Sequence, residues 1–356
     1  MISDKTLHLD WIKSVSKKNR KADKILVEKV IRALLLLEGL VESGFNFIFK
    51  GGTALMLLQG STKRLSIDID ILLPDKIDME QIFSKFLMSK NFSRLEFQER
   101  DTNSSIEKAH YKFYYQPIYK TAQAEEYVLL DILFEKSQYQ KMKFIDIDSS
   151  FVEQEGQALK VIVPSFEDML GDKLTAFAPN TTGIPYLKNG HSKAMEIIKQ
   201  LYDIGNLFDV AEDLKIVCET FDQFALTELA YRKLIKDPKI VLEDIFETAL
   251  CISTRGLEGK CDFKTLQNGI SQIRAFIFSE TYQIEKAIVH TSKAAHLTKL
   301  IELKKDKIER FENALQIKDW NIEQPFYTRL NKLKKSNPQA FFYWYKTYKL
   351  AKDISE

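Results

Sequence analysis

Asp68 and Asp70 stand one residue apart in an otherwise apolar run, LSIDIDILL, at residues 65–73. Its period-two alternation predicts a strand with Ser66, Asp68 and Asp70 on one face and Ile67, Ile69 and Ile71 on the other. Carboxylates at i and i+2 of a strand lie roughly 6–7 Å apart. Two at that spacing can grip one divalent ion while one of them bridges to a second. Ions about 4 Å apart can activate an attacking hydroxyl and stabilise a leaving pyrophosphate. Hard oxygen ligands suit Mg2+ or Mn2+. Acidic pairs at this spacing are common on solvated surfaces, but an unpaired carboxylate inside an apolar strand is costly, so a metal or cationic partner is expected here. Asp131, embedded in VLLDIL at residues 128–133, repeats the pattern. If its strand neighbours the first, three carboxylates converge; otherwise it is a chance acid at a strand edge.

A second feature precedes the acids. Gly51-Gly52-Thr53 follows the strand-like FNFIF of residues 45–49 and opens the helix-favouring ALMLLQ. Glycines admit close backbone approach to phosphate, and amides at a helix N-terminus favour anions. A threonine hydroxyl can add one hydrogen bond. A tight turn needing φ > 0 would use the same glycines. What separates the two readings is order: Gly-Gly-Thr, one helix, then Arg64-x-Ser66-x-Asp68-x-Asp70 is far rarer than either piece. Arg64 could pair with Asp68, with a phosphate, or in an ordinary ion pair.

These groups need a scaffold, and the chain supplies its pattern. Residues 21–43 read as an amphipathic helix, with Gly44 as its stop. Asp78 is placed to cap a helix through about residue 90. Strands are expected at 92–99, 109–119, 126–134 and 158–163, the last ending at Pro164. From Ser165 the texture changes. Ser165 and Asp168 form a capping-box-like start to a helix reaching about residue 177. PNTTGIPYLKNG, at residues 179–190, reads as a mobile loop. From Ser192 onward nearly everything looks helical. The expected fold is α+β, a mixed sheet flanked by helices over residues 1–205, followed by an all-helical C-terminal domain over residues 206–356.

At this point the residues carry a family resemblance. The stretch LLLLEGLVESGFNFIFKGGTALMLLQGSTKRLSIDIDILLP resembles the AbiEii/AbiGii-type toxin nucleotidyltransferases, a branch of the polymerase-beta-like nucleotidyltransferase superfamily. The likeness lies in Lys50-Gly51-Gly52-Thr53-Ala54-Leu55, in Arg64-x-Ser66-x-Asp68-x-Asp70 and in the Asp131 strand. It continues at Val163-Pro164-Ser165 with Asp172-Lys173-Leu174, and at Gln200-Leu201-Tyr202-Asp203-Ile204. It covers about residues 25–210. The resemblance implies an enzyme moving a nucleoside monophosphate from an NTP to an acceptor hydroxyl. Asp68, Asp70 and Asp131 would hold Mg2+ or Mn2+, and Lys50, Gly51, Gly52, Thr53, Arg64 and Ser66 would line the nucleotide. Lys173 would contact phosphates, and Asp203 would be a further active-site acid. At Asp203 the match is weaker, because Tyr202 stands where the family often has arginine. The resemblance also implies a toxin of a toxin–antitoxin or phage-defence pair, a cognate antitoxin partner, and RNA, plausibly the tRNA 3′ end, as acceptor.

The bulk numbers are compatible with this. The 356 residues suffice for two domains, and 45% apolar with 29% charged residues is ordinary for a globular protein. A formal charge of +2 does not by itself demand nucleic acid. Residues 297–356 hold 13 Lys/Arg against 8 Asp/Glu and contain Phe341-Phe342-Tyr343-Trp344-Tyr345. Basic helices with aromatics suit RNA; a core aromatic stripe with a solvated lysine face is the plainer reading. The five histidines have no ligand spacing and are given no chemistry. Cys218, Cys251 and Cys261 form no CxxC pair and support no disulfide framework. With neither a leader nor a membrane-length apolar run, a cytoplasmic protein without a membrane partner is expected. Two competing functions stay open: a small-molecule, antibiotic-type nucleotidyltransferase, and a nucleotide-binding regulator without catalysis.

Overall fold

A computed structural model describes residues 1–60, 63–98, 107–119 and 122–355. The helices and strands are α1 (Leu9–Lys18), α2 (Lys24–Glu42), β1 (Ile48–Lys50), α3 (Gly51–Leu58), β2 (Ile69–Leu73), α4 (Met79–Ser84), β3 (Arg94–Gln98), β4 (Glu107–Tyr115), β5 (Glu126–Phe134), β6 (Met142–Asp146) and β7 (Lys160–Pro164). They continue with α5 (Phe166–Ala176), β8 (Leu187–Lys188), β9 (His191–Ser192), α6 (Ala194–Val210), α7 (Leu214–Tyr231), α8 (Pro238–Ser253), α9 (Phe263–Gln272), α10 (Ile284–Glu302), α11 (Leu333–Ser336) and α12 (Pro338–Ser355). The chain parts into two compact units, residues 1–165 with 275–281, and residues 166–274 with 282–356. The boundary expected at 205/206 falls inside α6, a continuous helix. The change of texture at Ser165 marks the division instead, because α5 and α6 pack on α7, α9 and α10.

The first unit is built on a five-stranded mixed sheet in the order β1-β2-β5-β4-β3. β2 and β5 run parallel; the other neighbours are antiparallel. Alternation decides the faces. Ile69 and Ile71 of β2, Val128, Leu130 and Ile132 of β5, and Phe113 and Tyr115 of β4 are buried. Phe83, Phe92 and Phe113 make edge-to-face contacts in this core. α2 packs against β2 and β5. It is buried nearly all round, so its charges are partnered. Glu28 accepts the amides of Ile118 and Tyr119, and Glu38 pairs with Lys90 at 2.6 Å. Asp78 caps α4, as expected, by accepting the Gln81 amide, but the helix ends at Ser84 and not near residue 90.

Several expected strands have other bounds than the pattern implied: 45–49 yields Ile48–Lys50, 109–119 yields Glu107–Tyr115, and 158–163 yields Lys160–Pro164. The run 65–73 becomes a strand only at Ile69. At its start Leu65 donates its amide to the Phe276 carbonyl, and Arg64, just before the run, bridges Ile277. Asp68 therefore sits just ahead of β2 instead of within it. The run 92–99 contributes β3; Glu99, at its expected end, lies outside the described residues. The two-stranded β6–β7 sheet supplies a strand, β6, that was not expected.

The second unit is helical apart from the small β8–β9 hairpin. The stretch expected to be a mobile loop ends in that hairpin. Asn189 and Gly190, both at positive φ, make its two-residue turn. The start of the same stretch is held by Asp244, which accepts the Asn180 amide and the Thr181 hydroxyl. The aromatic run 341–345 lies on α12, which packs on α10. Phe341, Phe342, Tyr343 and Trp344 are buried and belong to the core, while Tyr345 is half-buried. Contrary to the sequence expectation, Cys251 and Cys261 are joined as a disulfide. The chain turns back after α8 and carries one to the other. Among the described residues no helix is long and apolar enough to cross a membrane.

Candidate active site

The β1–α3 junction is where the first unit's polar groups meet. Gly51 has φ +80, and a Cβ built there would lie 2.1 Å from Asp70 Oδ2. Glycine is thus required twice, by the backbone and by the carboxylate against it. A Cβ on Gly52 would lie 2.6 Å from Ser66 Oγ and 2.8 Å from Arg64 Nη2. The two glycines let Asp70, Ser66 and Arg64 close on the first turn of α3. Thr53 was expected to offer its hydroxyl to phosphate. It is buried, and its proton goes to the Asp68 carbonyl at 2.6 Å. In this conformation the hydroxyl ties α3 to the entrance of β2. Arg64 is also buried, with Nη1 donating to the Leu65 carbonyl at 3.2 Å.

Gly51→Ala should therefore lower melting by an amount equivalent to about 1–3 kcal/mol and weaken transfer as Asp70 is pushed aside. Gly44→Ala is the control, since Gly44 has φ +79 and a Cβ added there would meet nothing within 4 Å. Equal losses of transfer in the two variants would remove the carboxylate from the explanation.

Across the sheet the register sets four side chains in one row. Lys50 pairs with Asp70, Asp70 with Asp131, and Asp131 with His110. Residues opposite one another on neighbouring strands share a face, and those strands lie about 4.8 Å apart. Asp70 and Asp131 are therefore side by side on the face opposite Ile69, Ile71, Leu130 and Ile132. Both are half-buried, whereas Asp68, ahead of the strand, is exposed. Lys50 places its ammonium 5.5 Å from the centre of the Tyr139 ring. His110 closes the row: its Nδ1 is 2.5 Å from Asp131 Oδ1, and the residue is only 7% exposed. His110 was given no role from sequence. The available signal was its parity with Lys112 and Tyr114 on β4, opposite Tyr111 and Phe113, but only the register shows which carboxylate it meets.

The donor chemistry fits a hard cation. Two carboxylates on adjacent strands, with substrate phosphate oxygens completing the shell, is how Mg2+ is commonly held. The space at Gly51 that a Cβ would fill leaves Asp70 Oδ2 against bare backbone. Among the described residues no three His, Cys, Asp or Glu side chains are gathered as a ready cage. The structure thus brings Asp70 and Asp131 together and leaves Asp68 beside them as an exposed acid.

The second unit carries its own pair. Lys173, on α5, meets Asp203, on α6, at 3.0 Å, and also donates to Gln200 at 3.0 Å. Lys173 is 8% exposed and Asp203 is 3% exposed. Lys173 is thus a buried, paired cation. On α5, Asp168 Oδ1 accepts the Thr220 hydroxyl of α7 at 2.6 Å.

The family model for the AbiEii nucleotidyl transferase toxin of type IV toxin–antitoxin systems matches residues 35–323. This chain belongs to the AbiEii family. It is a nucleotidyltransferase of the α+β class, as its motifs implied. No curated protein matches it. Among solved structures, a nucleotidyltransferase candidate from H. pylori is similar at 16% identity, over 80% of this chain and 97% of that one, with a TM-score of 0.42. An antigenic nucleotidyltransferase-like protein from Paracoccidioides brasiliensis is similar at 16% identity, over 60% of this chain and 96% of that one, with a TM-score of 0.33. The AbiEii match spans most of both units, including the row on the sheet and the Lys173–Asp203 pair.

Proposed function

We propose that this AbiEii protein transfers a nucleoside monophosphate from an NTP to a hydroxyl of RNA, at the tRNA 3′ end, and acts as a toxin restrained by a cognate antitoxin. The observation that carries the reading is the pairing of Asp70 with Asp131 on parallel strands beside the Gly51 turn. In the reaction the acceptor oxygen forms a bond to the α-phosphorus, and the bond from that phosphorus to the α–β bridging oxygen breaks. Pyrophosphate leaves with the bonding electrons. Asp131 takes the acceptor's proton, while Asp70 and Asp68 with Asp131 are the residues to hold Mg2+ or Mn2+. Such an ion, when bound, supplies charge stabilisation to the phosphates and the leaving group. The turn at Gly51 and Gly52 presents backbone amides at the start of α3, which favour anionic oxygens. Lys50 and Arg64 add positive charge to the same unit, and Ser66 lies beside Gly52. Lys173 and Asp203 are assigned to the nucleotide on their match to the family pattern; the ammonium would oppose phosphate charge.

RNA as acceptor is supported by a cleft of about 520 Å³ in the helical unit, bordered by Lys305, Lys307 and Lys349. These three lysines are exposed, and Trp320 stacks on Tyr345 at 4.4 Å in the same cleft. Acids are present too: Glu309 is paired with Lys346. Positive side chains beside a ring suit a phosphate backbone carrying bases.

The test is to incubate the protein with each α-labelled NTP, Mg2+ and total RNA. Label on RNA from one or more NTPs is expected, and label confined to the tRNA band would place the acceptor. Label appearing only on added aminoglycosides, or on no acceptor, would overturn the proposal.

A further inference from the structure

His110 and Asp131 meet in a short contact between neighbouring strands. β4 has no shortage of apolar and aromatic side chains for its core face. His110 lies on the other face, buried, and in register with one acid. At 2.5 Å the Nδ1···Oδ1 contact is shorter than an ordinary N–H···O hydrogen bond. The geometry suits the tautomer in which Nδ1–H donates and Oδ1 accepts.

We propose that His110 is a positioning residue for nucleotidyl transfer, holding the Asp131 carboxylate in one orientation so that Oδ1 is committed and Oδ2 is presented to the reaction centre. The inference rests on Asp131 having the role given above. Rotation of a carboxylate about its Cβ–Cγ bond has a broad, two-fold profile, so an unsupported aspartate spreads over many orientations. Asp131 is the more exposed member of its pair, with 30% of its side chain open against 9% for His110. It also stands next to Asp70, whose like charge would turn it away. A donor on the far side resists that. The row then reads in order as a cation, two acids and a donor: Lys50, Asp70, Asp131, His110. Each acid has one flank given to a positively polarised partner in register and the other to its fellow acid. Loss of an outer hydrogen bond of this kind typically weakens metal affinity or activity about 10–100-fold.

The discriminating variants are His110→Asn and His110→Gln. A shorter Asn amide places its nitrogen where Nδ1 sits, whereas the Gln amide reaches one bond further, toward the Nε2 position. The full chain is titrated with Mn2+ alone and followed by electron paramagnetic resonance, with a melting curve for each variant. Wild type and His110→Asn are expected to bind Mn2+ alike within a few-fold. His110→Gln and His110→Ala are expected to bind about 10–100-fold more weakly without a matching loss in melting temperature. Asp131→Ala is expected to abolish this site and so tests the underlying assignment separately. If Asp131→Ala removes the site while all three His110 variants bind as wild type does, the positioning role is overturned and the metal assignment stands. Equal weakening in Asn and Gln variants also overturns it, since orientation would not matter. Mn2+ binding that is absent in wild type, or unchanged in Asp131→Ala, overturns both. In the labelling reaction the same pattern should appear in kcat, with KM for the NTP little changed, because positioning acts on the reacting geometry.

Discussion

Asp70→Ala is expected to lower nucleotidyl transfer by at least about a thousandfold, equivalent to about 4 kcal/mol of transition-state stabilisation. Asp70 is the member of the row with the most converging on it. Its Oδ2 lies against Gly51, it is in register with both Lys50 and Asp131, and it leads β2 into the sheet. No neighbouring side chain in the row could replace its charge: Asp131 is turned toward His110, and Asp68 lies outside the strand. The fold should survive, because the side chain is half-buried and its removal relieves the repulsion between neighbouring acids. The measurement is transfer from labelled NTP by wild type and variant, together with growth of bacteria expressing each, and melting curves as a control. Growth should slow with the wild type and recover with Asp70→Ala. A variant equally active would remove the row from the chemistry. One equally toxic but inactive would separate toxicity from transfer.

Lys173→Ala should be strongly destabilising as well as inactive. The Lys173–Asp203 pair is buried on both sides, and removing one partner leaves the other charge uncompensated. Such a loss typically costs about 3–5 kcal/mol, or roughly 10 °C in melting temperature for a unit of this size. Asp203→Ala should cost a similar amount for the same reason. The double variant Lys173→Met with Asp203→Leu should recover much of the loss, since apolar residues of similar volume often replace a buried pair at little cost. Activity should not follow stability: the double variant melts near wild type yet transfers poorly if the ammonium meets phosphate. Lys173→Arg should recover only part of the rate, because a planar fork does not reproduce a point charge. Melting curves and transfer rates for these four variants decide between roles. A double variant with wild-type transfer would make the pair structural only.

Much of the local structure around the candidate site was legible from residue types alone. Alternation in LSIDIDILL and VLLDIL marked carboxylates inside apolar strands, because a two-residue period leaves few other ways to bury Ile69, Ile71, Leu130 and Ile132. Strand β5 spans 126–134, the range that its alternation indicated. The glycines at 51 and 52 marked a turn, because only glycine takes φ +80 with a carboxylate against its α-carbon. The texture change at Ser165 was visible. The later boundary chosen at 205 does not match the compact units, because helix periodicity does not say what a helix packs on.

Register, partners and burial of charge came from the tertiary structure. Nothing local to β4 says that His110 falls opposite Asp131, since a shift of two residues would preserve every face and change the partner. Nor does LSIDIDILL reveal that its first residue, Leu65, bonds to Phe276, because that contact is made by chain far away in sequence. The Thr53 hydroxyl, the Lys173 ammonium and the Asp203 carboxylate have the composition of solvated or ligand-binding groups, and only the neighbours supplied by other elements bury them. The amino-acid order by itself determined which groups could do the chemistry, through periodicity and backbone permission. The folded chain decided which of them stand together, because hydrogen-bond register and side-chain burial are set by partners distant in sequence.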